Sequence, residues 1–111
     1  MYDNWTKEQK FAVIRVLMDI SVADNFLDDS EMNFIAKISN DLGLNNTEVF
    51  SVLQTTPVVK ALYHLSIMKE HEKVEVANLM RRLMDVDGRI DKNEILIFTA
   101  VMNNMGFEIL N

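Results

Sequence analysis

Hydrophobic residues recur along this chain at helical spacing, and no segment sustains the two-residue alternation of a strand bounded by turn pairs. Phe11, Ile14, Leu17, Met18 and Val22 form one stripe, which Val13, Val16 and Ile20 widen almost all round. A helix apolar on nearly every side is predicted to be central and buried. Its start is marked by Thr6-Lys7-Glu8-Gln9, the spacing of a capping box in which Thr6 and Gln9 satisfy each other's backbone donors. A second helix is predicted from about Asp29 to Leu42 on the stripe Phe34, Ile35, Ile38 and Leu42, with Gly43 placed for a left-handed C-terminal cap. Asn45 or Asn46, followed by Glu48, opens a short third helix that carries Val49, Phe50 and Leu53 and ends near Gln54.

Thr56-Pro57 predicts the next start, with Thr56 as cap and Pro57 at the first helical position, where proline loses no hydrogen bond. Val58, Val59, Leu62 and Leu65 are the expected buried face of this fourth helix. Ser66 to Lys73 is polar and charged and reads as a bend. A fifth helix, about Glu72 to Val86, sets Val76, Met80, Leu83 and Met84 against Glu75, Asn78, Arg82 and Asp85 on its other side. Ile95, Phe98, Met102 and Met105 mark a sixth, ending at Gly106. The predicted class is all-α, a single-domain bundle of about six to seven helices over 1–111.

The pattern repeats. The run from Asp24 to Glu31 reproduces that from Asp87 to Glu94 at an offset of 63, and Val16 to Leu44 superposes on Leu79 to Phe107. Ile20 pairs with Leu83, Leu27 with Ile90, Glu31 with Glu94 and Gly43 with Gly106. Two pseudo-symmetric helix-loop-helix hairpins are expected, bridged by helices three and four. In each copy an Asp precedes the helix and a Glu follows three residues later, Asp28 with Glu31 and Asp91 with Glu94, the spacing of a capping box. Asn25 and Gly88 suit a left-handed stop to the incoming helix, and Leu27 and Ile90 are expected to plug the loops into the core.

Charge sharpens the picture of these loops. The chain's net charge of −6 resides in Asp24 to Glu31 and Asp85 to Glu94, and the remaining acids and bases balance. Binding to a phosphate backbone needs clustered Lys and Arg, so nucleic acid is not the expected ligand. With no cysteine there is no disulfide, thiolate nucleophile or thiolate zinc site. The first residues lack the basic and apolar regions of a signal peptide, and Arg15 and Asp19 interrupt the longest apolar run, so a cytoplasmic chain without a membrane span is expected.

Carboxylates on a tight turn are the raw material of a divalent-cation site, for calcium, magnesium or another ion, and Asp85, Asp87, Asp91 and Glu94 are the candidate ligands. Asp24, Asp28 and Glu31 form a weaker counterpart. With Gly88 at the sixth position of an EF-hand loop, Leu83 falls on the first ligand position, and Ile20 and Val22 occupy the first and third in the other copy, which departs from that motif. Two other roles stay open for the loops: purely structural helix caps, or acidic surfaces offered to a basic partner.

The segments Ala23-Asp24-Asn25-Phe26-Leu27-Asp28-Asp29-Ser30-Glu31 and Asp87-Gly88-Arg89-Ile90-Asp91-Lys92-Asn93-Glu94 resemble the A-D-G-x-I-D-x-x-E loops of TerB-like proteins, a family similar to the N-terminal region of the DjlA co-chaperone. The resemblance implies an all-helical, internally duplicated domain linked with bacterial stress response and tellurite resistance, with metal association proposed and no enzymatic activity established. Asn25 stands for the family's usual glycine in the first copy, and Val86 for its usual alanine before the second.

Other residues modify this little. His64 and His71 lack a third nitrogen ligand nearby and a His-Glu-x-x-His pattern, so zinc is not expected. Five methionines, Met18, Met80, Met84, Met102 and Met105, lie at core spacing, and Tyr2 and Trp5 are placed to anchor the N-terminal arm. Val49, Phe50, Val52 and Leu53 give a short helix more apolar surface than one contact face needs, which suggests a partner groove. There is no phosphate loop and no nucleophile-base motif. The expected function is therefore a non-enzymatic binding or regulatory module, a monomer or weak homo-oligomer with protein partners.

Overall fold

Six α-helices account for the architecture of the computed structural model, which describes residues 2–23, 28–86, 88 and 90–107. They are α1 (Lys7–Ser21), α2 (Asp29–Asp41), α3 (Asn46–Thr55), α4 (Val58–Ser66), α5 (Glu70–Asp85) and α6 (Lys92–Asn104), with no strand among the described residues. The expected capping boxes at the starts of α1 and α3 are formed. Thr6 N–H donates to Gln9 Oε1 at 3.0 Å and Gln9 N–H to Thr6 Oγ1 at 3.1 Å. Asn45 and Glu48 exchange the same pair of bonds at 3.0 and 2.8 Å. Lys7 also pairs with Glu48, and that ammonium, followed by the Asn45 N–H, holds the Glu48 carboxyl below its usual range.

Helix α1 is the hub. It packs on all five other helices, most extensively on α4, and Val13, Ile14, Val16, Leu17 and Ile20 have no solvent exposure. Leu65 from α4, Val76, Leu79, Met80 and Leu83 from α5, and Val101 and Met102 from α6 close the core around it. Tyr2 and Trp5 are buried with ring centroids 4.8 Å apart, so the N-terminal arm is anchored by aromatic packing. The radius of gyration, 12.9 Å, matches the value of about 13 Å for a single close-packed unit of this length.

The repeat shows in the elements themselves. Helices α2 and α6 have equal length and begin and end 63 residues apart. Both close in the same motif: Gly43 N–H bonds Asn40 O and Leu44 N–H bonds Ser39 O, as Gly106 bonds Asn103 and Phe107 bonds Met102, all at 3.0 to 3.1 Å. Gly43 and Gly106 take the positive φ this motif requires, 77° and 97°.

Four expectations are corrected. Thr56 does not cap α4; it is the buried closing residue of α3, its N–H bonded to Val52 O, while Pro57 is the extended residue before α4 and offers no side-chain cap. Proline holds its predecessor in an extended conformation, which separates the two helices at this point. The buried face of α4 is Ala61 and Leu65 with Leu62 half-buried, whereas Val58 and Val59 are exposed. The small Ala61 side chain is the one that faces inward where α4 meets α1 most extensively. Helix α5 starts two residues early, at Glu70, because the Glu72 carboxylate turns back to accept the Lys69 N–H at 2.8 Å. Ile90 does not plug the core: it is 52% exposed, immediately before the Asp91 cap, at the spacing of a staple onto Ile95, which is also exposed. Its counterpart Leu27 lies outside the described residues, as does Asn25.

Candidate functional site

The heads of α2 and α6 are built alike. Asp28 and Asp91 sit in extended conformation at the head of α2 and α6. The Asp28 carboxylate accepts from Ser30 N–H at 2.8 Å and Glu31 N–H at 3.4 Å, and that of Asp91 from Asn93 N–H at 2.7 Å. Carboxylates here satisfy donors that a helix start leaves open and sit at the positive end of its dipole. The reciprocal half of the expected box is not part of these caps. Glu31 and Glu94 instead turn inward, each only 2% exposed, and each carries an interaction of its own. Gly88 has φ 76° and its N–H bonds Asp85 O at 3.1 Å, which turns the chain out of α5.

Of the candidate cation ligands, Asp85 is exposed at the end of α5, Asp91 is engaged as a cap and Glu94 is buried. Asp24 and Asp87 lie outside the described residues. Among the described residues no group of three acids or histidines comes together as a metal site. His64 is half-buried on α4, edge-on to Tyr63 at 5.3 Å between centroids, while His71 is exposed on α5, so the two histidines belong to different helices.

A second feature lies beside the first turn. Helices α1, α2 and α3 enclose an apolar groove with a volume of about 600 Å3, lined by Met18, Val22, Met32, Ile35, Phe50 and Leu53 among others. Phe50 is 80% exposed at its edge and Leu53 56%, while Val52 on the opposite side of α3 is wholly buried and ties that helix to the core. Arg15 sets the position of α3. Its Nη1 donates to Leu53 O at 3.2 Å and Thr56 O at 3.3 Å, and its Nε bridges both carboxylate oxygens of Asp19 at 3.2 Å. A guanidinium at the carbonyl end of a helix answers both its open acceptors and its dipole. The anchor was signalled in the sequence only as an Arg-Asp pair four apart on α1, which reads equally as a surface ion pair.

The family described as Tellurite resistance protein TerB matches residues 1–54. Over those residues the chain is TerB-like. That match spans α1, α2 and nearly all of α3, the elements that form the groove and the first acidic turn. A crystal structure of a protein of unknown function from Porphyromonas gingivalis W83 shares this fold, with a TM-score of 0.74 at 21% identity over 96% of this chain and 83% of the other. No match is found among curated proteins. No helix among the described residues is long and apolar enough to cross a membrane.

Proposed function

We propose that this TerB-like chain is a non-catalytic binding module of the cytoplasm, whose α1–α2–α3 groove takes an apolar segment of a protein partner. The observation that carries this reading is the groove itself, open, apolar and rimmed by Phe50 and Leu53 on a helix anchored from its other side. Apolar side chains held in water on a rigid wall gain roughly 25 cal/mol for each Å2 a partner covers. The name of the matched family supplies tellurite resistance as the setting. A titration with the neutral apolar dye Nile red tests the groove: saturable fluorescence enhancement is expected, with affinity cut about tenfold or more by Phe50→Asp, a charge at the rim. Unchanged dye binding in that variant, with helicity intact, removes the groove from the function.

A second reading keeps a divalent cation, calcium, magnesium or another, at Asp85, Asp87, Asp91 and Glu94. It draws support from the burial of Glu94 and its counterpart Glu31, since buried carboxylates are paired or coordinated. An ion bound only to the native state raises the melting temperature with its concentration. Thermal melts in EDTA and in calcium, magnesium, zinc or manganese are expected to separate, and the separation to shrink in Glu94→Gln. Superimposable melts for every ion discard the cation.

A further inference from the structure

We infer that Met32 is an oxidation site whose sulfoxide closes the groove to apolar occupants, an inference that rests on the groove reading above. The observation is where the thioethers lie. Met68, Met80, Met84, Met102 and Met105 are buried, each at most 6% exposed. Among the described residues the two methionines outside the core are Met32, 50% exposed, and Met18, half-buried, and both line the groove. An oxidant has to reach the sulfur, and a buried sulfur is reached only when its surroundings open. Exposure therefore ranks these side chains, and Met32 comes first. The repeat shows that sulfur is not a demand of the fold at this place. The residue 63 positions on from Met32, at the same point of α6, is Ile95, and that from Met18 is Arg81. A hairpin of this kind closes without a thioether at either position. An aliphatic side chain would give the groove an equally apolar wall; what methionine adds is a sulfur that can be oxidised and restored.

The reagent is a peroxide, in the simplest case hydrogen peroxide. A lone pair of the Met32 sulfur attacks one peroxide oxygen, the O–O bond breaks as the S–O bond forms, and the departing hydroxide takes the proton of the transferred oxygen and leaves as water. The sulfur gives up two electrons and the peroxide takes them, so one thioether and one hydrogen peroxide yield one sulfoxide and one water. The product carries a strongly polar S–O group where the wall was apolar. An apolar occupant laid over that group strips it of water and returns no hydrogen bond, so oxidation acts against binding while the core, whose methionines are out of reach, keeps its packing.

Dilute hydrogen peroxide on the purified chain, followed by its removal, makes the test. Peptide mapping by mass spectrometry should show Met32 gaining oxygen ahead of Met18, and about tenfold or more faster than each of the five buried methionines. Nile red affinity should then fall by about tenfold or more, with helicity by circular dichroism unchanged, and return when methionine sulfoxide reductases, one for each epimer, remove the oxygen. In Met32→Leu the affinities before and after peroxide should agree, whereas Met18→Leu should keep the fall. Met32→Gln, polar without any oxidant, should bind the dye more weakly than Met32→Leu by a similar factor. Oxidation of Met18 or of the buried methionines as fast as Met32, undiminished dye binding by the oxidised chain, or an equal fall in Met32→Leu overturns the inference and leaves the groove standing. If the chain that has met no peroxide does not bind the dye, the groove reading fails and the oxidation switch fails with it.

Discussion

Replacing Leu17 by alanine should lower the stability of the fold by about 3 kcal/mol. The side chain has no solvent exposure and sits on the helix that touches every other helix, so truncation removes apolar burial and leaves a void that several elements would have to collapse to fill. For a domain of this length the loss corresponds to a fall of about 12 °C in melting temperature. Urea unfolding should show a lower midpoint with an unchanged slope, the mark of reduced stability without a changed denatured state. Val59→Ala is the control. That residue is 76% exposed on α4, and its truncation should shift stability by less than about 0.5 kcal/mol in either direction. A Leu17→Ala variant as stable as Val59→Ala would mean that α1 is not the hub its burial makes it.

The contrast between these two positions shows which parts of the fold were legible in the sequence. From Phe11 to Ile20 on α1 all positions but Arg15 and Asp19 are apolar, so nearly any orientation buries that stretch, and its place at the centre follows from the pattern alone. Helix starts that use a conventional cap, Thr6 with Gln9 and Asn45 with Glu48, are written locally and are found where expected. Helix α4 is different. It carries two apolar stripes, Ala61 with Leu65 and Val59 with Tyr63 and Ile67, and the larger residues lie on the outer one. Which stripe turns inward depends on how close α1 comes, a property of the neighbour and not of α4's own pattern. The groove was half legible for the same reason. Surplus apolar residues on α3 marked one wall, but the opposite wall, Met18, Val22, Met32 and Ile35, reads in sequence as ordinary core stripe. Only the packing of α3, anchored by Arg15 at its carbonyl end and by Val52 in the core, shows that wall lining a groove.

The acidic turns invite the second large effect, because the structure reverses the weights that their spacing suggests. As a capping box, Asp and Glu would share one modest contribution, and the Asp would be the principal partner. In the fold the Asp caps alone, at the rim, while the Glu is enclosed. Asp28→Ala and Asp91→Ala should each cost about 1 kcal/mol, the usual value of a lost cap. Glu31→Ala and Glu94→Ala should each cost about 2 to 3 kcal/mol, since each removes an enclosed carboxyl together with the interaction it makes. Burying a carboxyl is costly unless the surroundings compensate, and the same residue is enclosed to the same 2% in both copies of the repeat. Two independent accidents would not recur in register; the inward Glu belongs to the repeated design of the two hairpins. Chemical denaturation of the four variants decides the matter, and an Asp variant less stable than its Glu counterpart in either hairpin would return the turns to simple caps.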